Sequence, residues 1–397
     1  MAEPLKYIVE DNTIAELLGV QNFTSKESAI LELVKNAYDA QAKTLSIIFD
    51  HNILSIIDDG IGMDKETILF NWMHIGKSDK DYSIIDHQTN IERVLSGSKG
   101  IGRFALARLG SSIKLISSRK NSSPIIWETD WNSSSVENIQ KTSKINTGTH
   151  IDIFELRDRW TEGSIQKLTD YLSITYNDTQ MSIKIKSINK NYEVSQYFQS
   201  PKIGKNFVTH IHMDYNSEDT SLICSIKSDE FRQDSQNICK EVNINHHQNK
   251  IVIIDEIENS FSHFGNREEL KNLLVNLGNF STDLYFSLKG PSQNDCERFL
   301  YKHDNLSTRY DRGVVLYRNA FGISSFEGEK DWLGFGKRSR KSPAAASHPT
   351  GAWRIRENQI SGMVCIDKRE NKYLKDLSNR QGLEENEYFD LFHCCPR

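Results

Sequence analysis

The spacing of hydrophobic positions changes several times along the chain, and each change predicts an element. Over residues 26–42, apolar side chains fall at Ile30, Leu31, Val34, Ala37 and Tyr38, which is helical spacing. Residues 44–49 and 53–57 are β-branched, apolar runs flanking Asp50-His51-Asn52, so they predict a hairpin. Glycine clusters at 58–62 and 97–102 break the pattern, with helix and mobile loop expected between them over 64–95. A helix restarts over 103–109, directly after a glycine. Strands are expected at 113–117, 125–129 and 149–153, then a helix near 162–173 and a strand near 181–187. Alternating strands and helices continue to the C-terminus. The Asn-, Ser- and Gln-rich stretches 132–147 and 233–250 read as surface loops, and the basic, proline-bounded run 337–350 as an exposed loop. A boundary between 190 and 205 would divide a first domain, 1–195, from a second, 196–397.

Composition narrows the class. The chain has 397 residues, 37% hydrophobic and 26% charged, enough to bury a sizeable core. No apolar run approaches the length of a membrane span. The start, Met-Ala-Glu-Pro-Leu-Lys, lacks the charged-then-apolar layout of a signal peptide. The six cysteines form no C-x-x-C pair and no metal-ligand spacing, which suits reduced thiols and a cytoplasmic protein without membrane partners. A net charge of −5 excludes a globally basic nucleic-acid binder, though not a local basic patch.

Chemistry-bearing residues then cluster in a fixed order before residue 155. On a helix, Glu32, Asn36 and Asp39 are four and three residues apart and share one face, with Ile30, Leu33 and Ala37 opposite. A carboxylate one turn from a carboxamide can orient a water and complete the oxygen shell of Mg²⁺. Taken alone, such a trio is more often a solvated helix face. Next, Ile56-Ile57 leads into Asp58-Asp59-Gly60-Ile61-Gly62-Met63. Asp58 at the end of an apolar strand could accept the amino group of adenine, and Gly60 and Gly62 allow the backbone close to a flat ring. Many ordinary turns share that string. Third, Gly97-Ser98-Lys99-Gly100-Ile101-Gly102-Arg103 opens a helix, so freed backbone N–H groups and a helix N-terminus could face a phosphate. Last, Thr149 follows Gly148 at the head of a strand, where its hydroxyl could bond a ring nitrogen or a bridging water.

In this order and spacing the four elements resemble the Bergerat-fold (GHKL) ATPases, the superfamily of gyrase B, the heat-shock chaperone ATPase, histidine kinases and MutL. The resemblance covers residues 25–155. It implies ATP and Mg²⁺ as cofactors, Glu32 as general base for the attacking water and Asn36 as a Mg²⁺ ligand. It also implies Asp58 as adenine anchor, Thr149 as a second adenine contact, and Gly97, Ser98, Lys99, Gly100, Ile101, Gly102, Arg103 and Phe104 as a phosphate-contacting lid. Asp39, Ala40, Gly60, Gly62 and Met63 would line the nucleotide. Histidine kinases typically lack the hydrolytic glutamate and carry a phosphoacceptor helix upstream; Glu32 and the short upstream segment here argue against a kinase.

Other strings in the chain imitate different motifs. Gly76-Lys77-Ser78 imitates a Walker A motif, but Asn71 stands where its first glycine belongs and Trp72 to Ile75 are too bulky to wrap a phosphate. Lys77 is kept as a catalytic candidate reaching the phosphates from the lid region. The run Ile251 to Glu256 imitates a Walker B motif and reads as a buried strand with exposed acids. Residues 313–335 and 376–389 resemble the transducer-like region of bacterial heat-shock-type and MORC-like ATP-binding proteins. There a basic residue contacts the γ-phosphate; Lys337, Arg338, Arg340, Lys341 and Arg380 are the candidates. The last residues, Phe392 to Arg397, show no capping or amphipathic logic, which raises the expectation of a short or truncated form.

The expected fold is therefore α/β: a Bergerat-type sandwich, its mixed and largely antiparallel sheet covered by helices on one face, followed by a smaller α/β transducer-like domain. The expected function is Mg²⁺-dependent ATP binding and hydrolysis driving a conformational clamp, with an ATP-dependent homodimer and a DNA or protein client. The alternative is a nucleotide-gated interaction module that binds ATP without turnover.

Overall fold

The computed structural model describes residues 9–75, 83–85, 92–97, 100–140, 146–230, 246–257, 265–288, 300–340, 355–377 and 382–395. Lys77, Ser98, Lys99, Lys341 and Arg380 lie outside them. The chain divides into two compact units, Met1–Gln196 and Tyr197–Arg397.

In the first unit, helices α1 (Asp11–Ala15) and α2 (Lys26–Asp39) precede the hairpin β1 (Thr44–Asp50) and β2 (Ile53–Asp58). A short α3 (Lys65–Thr67) and the small pair β3 (Ser83–Ile85) and β4 (Glu92–Val94) lead to α4 (Ala105–Leu109). Then come β5 (Gly110–Ser118), β6 (Ile125–Thr129), β7 (Ser134–Asn138), β8 (Gly148–Leu156), α5 (Glu162–Thr175), β9 (Ser182–Lys186) and β10 (Asn191–Val194).

The large sheet has the order β10-β9-β1-β2-β8-β5-β6-β7, antiparallel except where β1 and β9 run parallel. Alternate residues on neighbouring strands are buried: Leu45, Ile47 and Phe49 on β1, Leu54 and Ile56 on β2, Ile113 and Leu115 on β5, Ile151 and Ile153 on β8. Their neighbours in sequence are at least partly exposed, so helices cover one face of this sheet and not the other. Each such fully buried Leu or Ile stabilises the sandwich by roughly 1.5–3 kcal/mol. This is the Bergerat-type arrangement expected.

Helix α2 runs through this core. Ser25 caps it, accepting from the Ser28 backbone N–H at 3.0 Å, and Ala29 through Val34 are buried. Its C-terminal end is pinned by Arg93 of β4, a buried guanidinium that donates to the carbonyls of Tyr38, Ala42 and Gln180 and lies over the Tyr38 ring.

Two expectations for this unit need correction. The polar stretch 132–147 is not loop throughout, because Ser134–Asn138 forms edge strand β7, paired with β6. Backbone pairing at an edge asks little of the side chains, which here are mostly exposed. The helix after Gly102 starts as a 3₁₀ turn over Gly102–Phe104 before α4.

In the second unit, β11 (Thr209–Asn216), β12 (Ser221–Ser228), β13 (His246–Val252), α6 (Ile253–Ile257), α7 (Arg267–Leu277) and β14 (Phe280–Phe286) are followed by β15 (Val314–Arg318) and β16 (Phe321–Glu327). Helix α8 (Phe335–Arg340), β17 (Ile360–Ile366) and α9 (Glu387–Cys394) complete it. The sheet order is β13-β12-β11-β14-β17-β15-β16, with β15 and β17 parallel. One face carries a core of Met213, Leu222, Leu274, Leu284, Leu316, Val364, Leu391 and Phe392.

Four corrections apply here. The expected loop 233–250 ends in a strand, β13 from His246. The Walker-B-like run is split, since β13 stops at Val252 and Ile253 and Ile254 are buried on α6, with exposed Asp255 paired to Arg267. Phe335–Arg340, at the start of the expected basic loop, is helical. The C-terminal segment does have capping and amphipathic logic. Asn386 caps α9 by accepting from the Phe389 N–H at 3.0 Å, and Leu391, Phe392 and Cys395 are buried.

Candidate functional site

The first two motifs meet through the hairpin. Asp58 is the last residue of β2 and faces Thr149 across the β2–β8 ladder. Burial pushes its carboxyl up to about 6; the backbone N–H groups of Gly60 and Thr149 pull in the opposite direction, and Asp59 adds to the rise. One carboxylate oxygen accepts from the Gly60 N–H at 2.9 Å. The neighbouring Asp59 is occupied elsewhere, accepting from the N–H groups of Lys43 and Thr44 at 2.7 and 2.8 Å. Of the two adjacent aspartates, then, one braces the β1 entrance and the other faces the site.

The glycines bring backbones together. A Cβ on Gly60 would stand 2.6 Å from the Ala40 carbonyl oxygen, so the glycine turn lies flat against the end of α2. Gly62 has φ +66° and a Cβ there would collide with the Ser118 carbonyl oxygen, which closes the turn against β5. Beside it, the Met63 N–H donates to Ser117 Oγ at 2.8 Å. The Ser117 hydroxyl also lies 3.0 Å from both the Gly148 carbonyl and Thr149 Oγ1. Ser117 escaped the sequence reading. Its signal was a hydroxyl one position before the end of the strand, in line with the inward-facing Ile113 and Leu115.

The third motif approaches α2 from the other side. A Cβ on Gly102 would lie 3.2 Å from Glu32 Oε2 and 3.6 Å from Asn36 Oδ1, so Glu32, Asn36 and Gly102 form one cluster. Glu32 is buried, and its Oε1 accepts from Lys35 Nζ at 2.9 Å. Asp39, also buried, accepts from the N–H groups of Ser96 and Gly97 at 2.9 and 3.0 Å and from Ser96 Oγ at 3.1 Å. It anchors the start of the glycine segment. Gly100 has φ +64°, and its carbonyl accepts from Arg103 at 2.8 Å. Burial lowers the Arg103 guanidinium to about 10, and the group lies over the buried Phe104 ring, 4.8 Å from its centroid. Ile101 is half-buried ahead of the 3₁₀ turn. Within the first unit, then, Glu32, Asn36 and Gly102 lie together, Asp39 holds the start of the glycine segment, and Asp58, Gly60, Gly62 and Thr149 meet where the end of α2 approaches the ends of β2, β5 and β8.

The arrangement suits a Mg²⁺-nucleotide. Glu32 and Asn36 offer hard oxygen donors in one cluster, and glycine at 102 leaves room beside it that a Cβ would narrow to 3.2 Å from the Glu32 carboxylate. Asp58 offers an acceptor in a setting of low polarity, beside two hydroxyls and a glycine backbone.

Comparison with known proteins agrees. Residues 23–159 match the family described as histidine kinase-, DNA gyrase B-, and HSP90-like ATPase. The chain is similar to the chaperone protein HtpG of Campylobacter jejuni, 24% identical over 196 residues, covering 42% of this chain and 32% of the relative. It is also similar to a mitochondrial TNF receptor-associated protein 1 homolog of Dictyostelium discoideum, 27% identical over 267 residues, covering 57% of this chain and 37% of the relative. An endoplasmin homolog of Hordeum vulgare is 23% identical over 149 residues, covering 32% of this chain and 18% of the relative. The matched part thus spans about a third of the first two relatives' lengths. The first unit is a Bergerat-fold domain of the heat-shock-chaperone-like kind. Among the described residues no helix is long and apolar enough to cross a membrane.

Proposed function

We propose that this protein binds Mg·ATP in the first unit and hydrolyses it, using the cycle to close and open a clamp. One observation supports the reading: Gly102 of the glycine segment lies against Glu32 and Asn36, with a Cβ there 3.2 Å from Glu32 Oε2 and 3.6 Å from Asn36 Oδ1. Asp58 accepts the adenine amino group, with Thr149 and Ser117 supplying hydroxyls beneath the ring. Asn36 would offer its Oδ1 to a Mg²⁺ ion, whose charge would offset that of the phosphate oxygens. Glu32 orients a water and takes its proton, so catalysis here is mainly positioning and electrostatics. Asp39 holds the root of the lid, which excludes bulk water from the phosphates.

A second reading has support of its own. Glu32 Oε1 accepts from Lys35 Nζ at 2.9 Å, so one of its two oxygens is already engaged by a protein donor rather than by water. On that reading the protein binds ATP as a gate and does not turn it over. Measuring phosphate release from wild type and from Lys35→Met, each with and without DNA, separates the two. Turnover in wild type that Glu32→Ala abolishes supports the ATPase. Binding without turnover in wild type, together with turnover in Lys35→Met, supports the gate. The homodimer and the choice between a DNA and a protein client belong to the same proposal; sizing with a non-hydrolysable analogue tests the first.

A further inference from the structure

The geometry points to a divalent transition-metal site, suited to Zn²⁺, on the face of the second unit's sheet opposite its helix-covered core, formed by His210, His212 and Asp283. His210 and His212 are two residues apart on β11, so their side chains emerge on the same side of the sheet. Asp283 on β14 sits directly opposite His212 in the antiparallel register. His210 Nε2 and His212 Nδ1 lie 2.7 and 2.8 Å from the same oxygen, Asp283 Oδ1, and ligand atoms of all three residues lie within 4.8 Å of one another.

Ligand identity selects the metal. Two imidazoles and one carboxylate suit Zn²⁺ and its first-row neighbours, whereas Mg²⁺ and Ca²⁺ take all-oxygen shells. Zinc bonds to nitrogen and carboxylate oxygen are about 2.0–2.2 Å long, which sets tetrahedral ligand atoms about 3.4 Å apart, so these contacts need to open by roughly 0.6–0.7 Å to admit the ion. Three protein ligands leave a fourth position for water or another donor.

Both rings are also held from behind, which a chance pair of surface histidines would lack. His212 Nε2, the nitrogen turned away from the cluster, lies 2.9 Å from Asp214 Oδ2. A carboxylate on the distal nitrogen fixes the tautomer of a ligating histidine and raises its donor strength. His210 is buried, and its ring stacks on Tyr285 with centroids 5.2 Å apart and lies beside Phe207 at 5.3 Å. The sequence shows the pattern as His210-Ile-His212-Met-Asp214, alternate residues of one strand. The site belongs to the second unit and is independent of the nucleotide reading.

The test is calorimetric titration of Zn²⁺ into the untagged, chelator-treated full chain, followed by Co²⁺ substitution. Wild type should bind one Zn²⁺ saturably, and the Co²⁺ form should show d–d bands without a thiolate charge-transfer band. His212→Gln and Asp283→Asn should each lower affinity by tenfold or more, and exposed Asp214→Asn, which puts the fold at no risk, by about 10–100-fold. Thermal unfolding of each variant confirms that it is folded. Unchanged zinc affinity in Asp214→Asn and in folded His212→Gln overturns the proposal, as does a thiolate band from one of the free cysteines.

Discussion

Gly102 faces Glu32 so closely that a single added carbon would stand 3.2 Å from the Glu32 carboxylate and 3.6 Å from the Asn36 side-chain oxygen. The third glycine of that segment and the helix bearing the candidate base are therefore in close contact, and a side chain at 102 would make the Glu32 carboxylate give way by a few tenths of an ångström. Gly102→Ala should displace the base by a few tenths of an ångström and leave adenine recognition at Asp58 intact. We expect turnover to fall by about 10–100-fold with little change in nucleotide affinity. Steady-state kinetics beside a binding titration checks this; an equal loss in affinity and rate would place Gly102 outside the catalytic cluster.

Glu32→Ala and Asn36→Ala should fail in different ways. Removing a general base typically costs about 10²–10⁴-fold in rate, so Glu32→Ala should bind Mg·ATP, remain closed longer and hydrolyse hardly at all. Asn36→Ala should instead lose the Mg²⁺-dependent part of its binding. Titrations with and without Mg²⁺ resolve the two, and wild-type turnover in Glu32→Ala would show that the base lies elsewhere.

Asp39→Asn tests the lid's root. The buried Asp39 carboxylate collects donors from Ser96 and Gly97, and a charged acceptor contributes about 1.5–3 kcal/mol per hydrogen bond. Losing the charge should loosen the glycine segment, lower ATP affinity about tenfold and speed amide exchange at Ser96 and Gly97. Unaltered exchange there would mean that the lid is held by other contacts.

Asp58 should make the empty protein less stable at neutral pH than its Asn variant. Its carboxyl is raised to about 6 in the folded state, above its ordinary range. The stability linked to the protonated form is present below pH 4 and is lost as pH rises through about 6. Asp58→Asn cannot ionise, so at pH 8 it should unfold later than wild type, by on the order of 2 kcal/mol, while at pH 4 the two should converge. Thermal melts across that range decide it; identical melts at every pH would remove the burial argument.

How much of this was legible in the sequence depended on what each residue had to do. Glu32, Asn36, Asp58, Gly62 and Gly102 stood out because a nucleotide site of the proposed kind would ask for residue types at fixed spacing along local segments. Ser117 did not, since it reaches Thr149 only through strand pairing across 32 residues. Asp39 was read as a nucleotide contact, whereas its oxygens are taken by Ser96 and Gly97, a role set by tertiary contact. Strand β7 was missed because an edge strand makes its bonds through backbone and leaves Ser134, Ser135, Glu137 and Asn138 in water. Helix α9 was missed because its eight residues were too short to establish a period before the core claimed Leu391 and Phe392. Arg93 gave no signal at all; burial of a guanidinium by four acceptors is decided by the fold alone.

The central claim is that Asp58 anchors a nucleotide in the first unit, and titrating a non-hydrolysable ATP analogue with Mg²⁺ into wild type and Asp58→Asn tests it most directly. Wild type should show saturable 1:1 binding at pH 8 that weakens as pH falls through about 6, because a protonated Asp58 is a weaker acceptor for the adenine amino group and presents a competing O–H donor. Asp58→Asn, folded and more stable when empty, should show no binding at any pH. Equal affinity in the two proteins, or affinity in wild type that does not change between pH 8 and pH 5, would contradict the account.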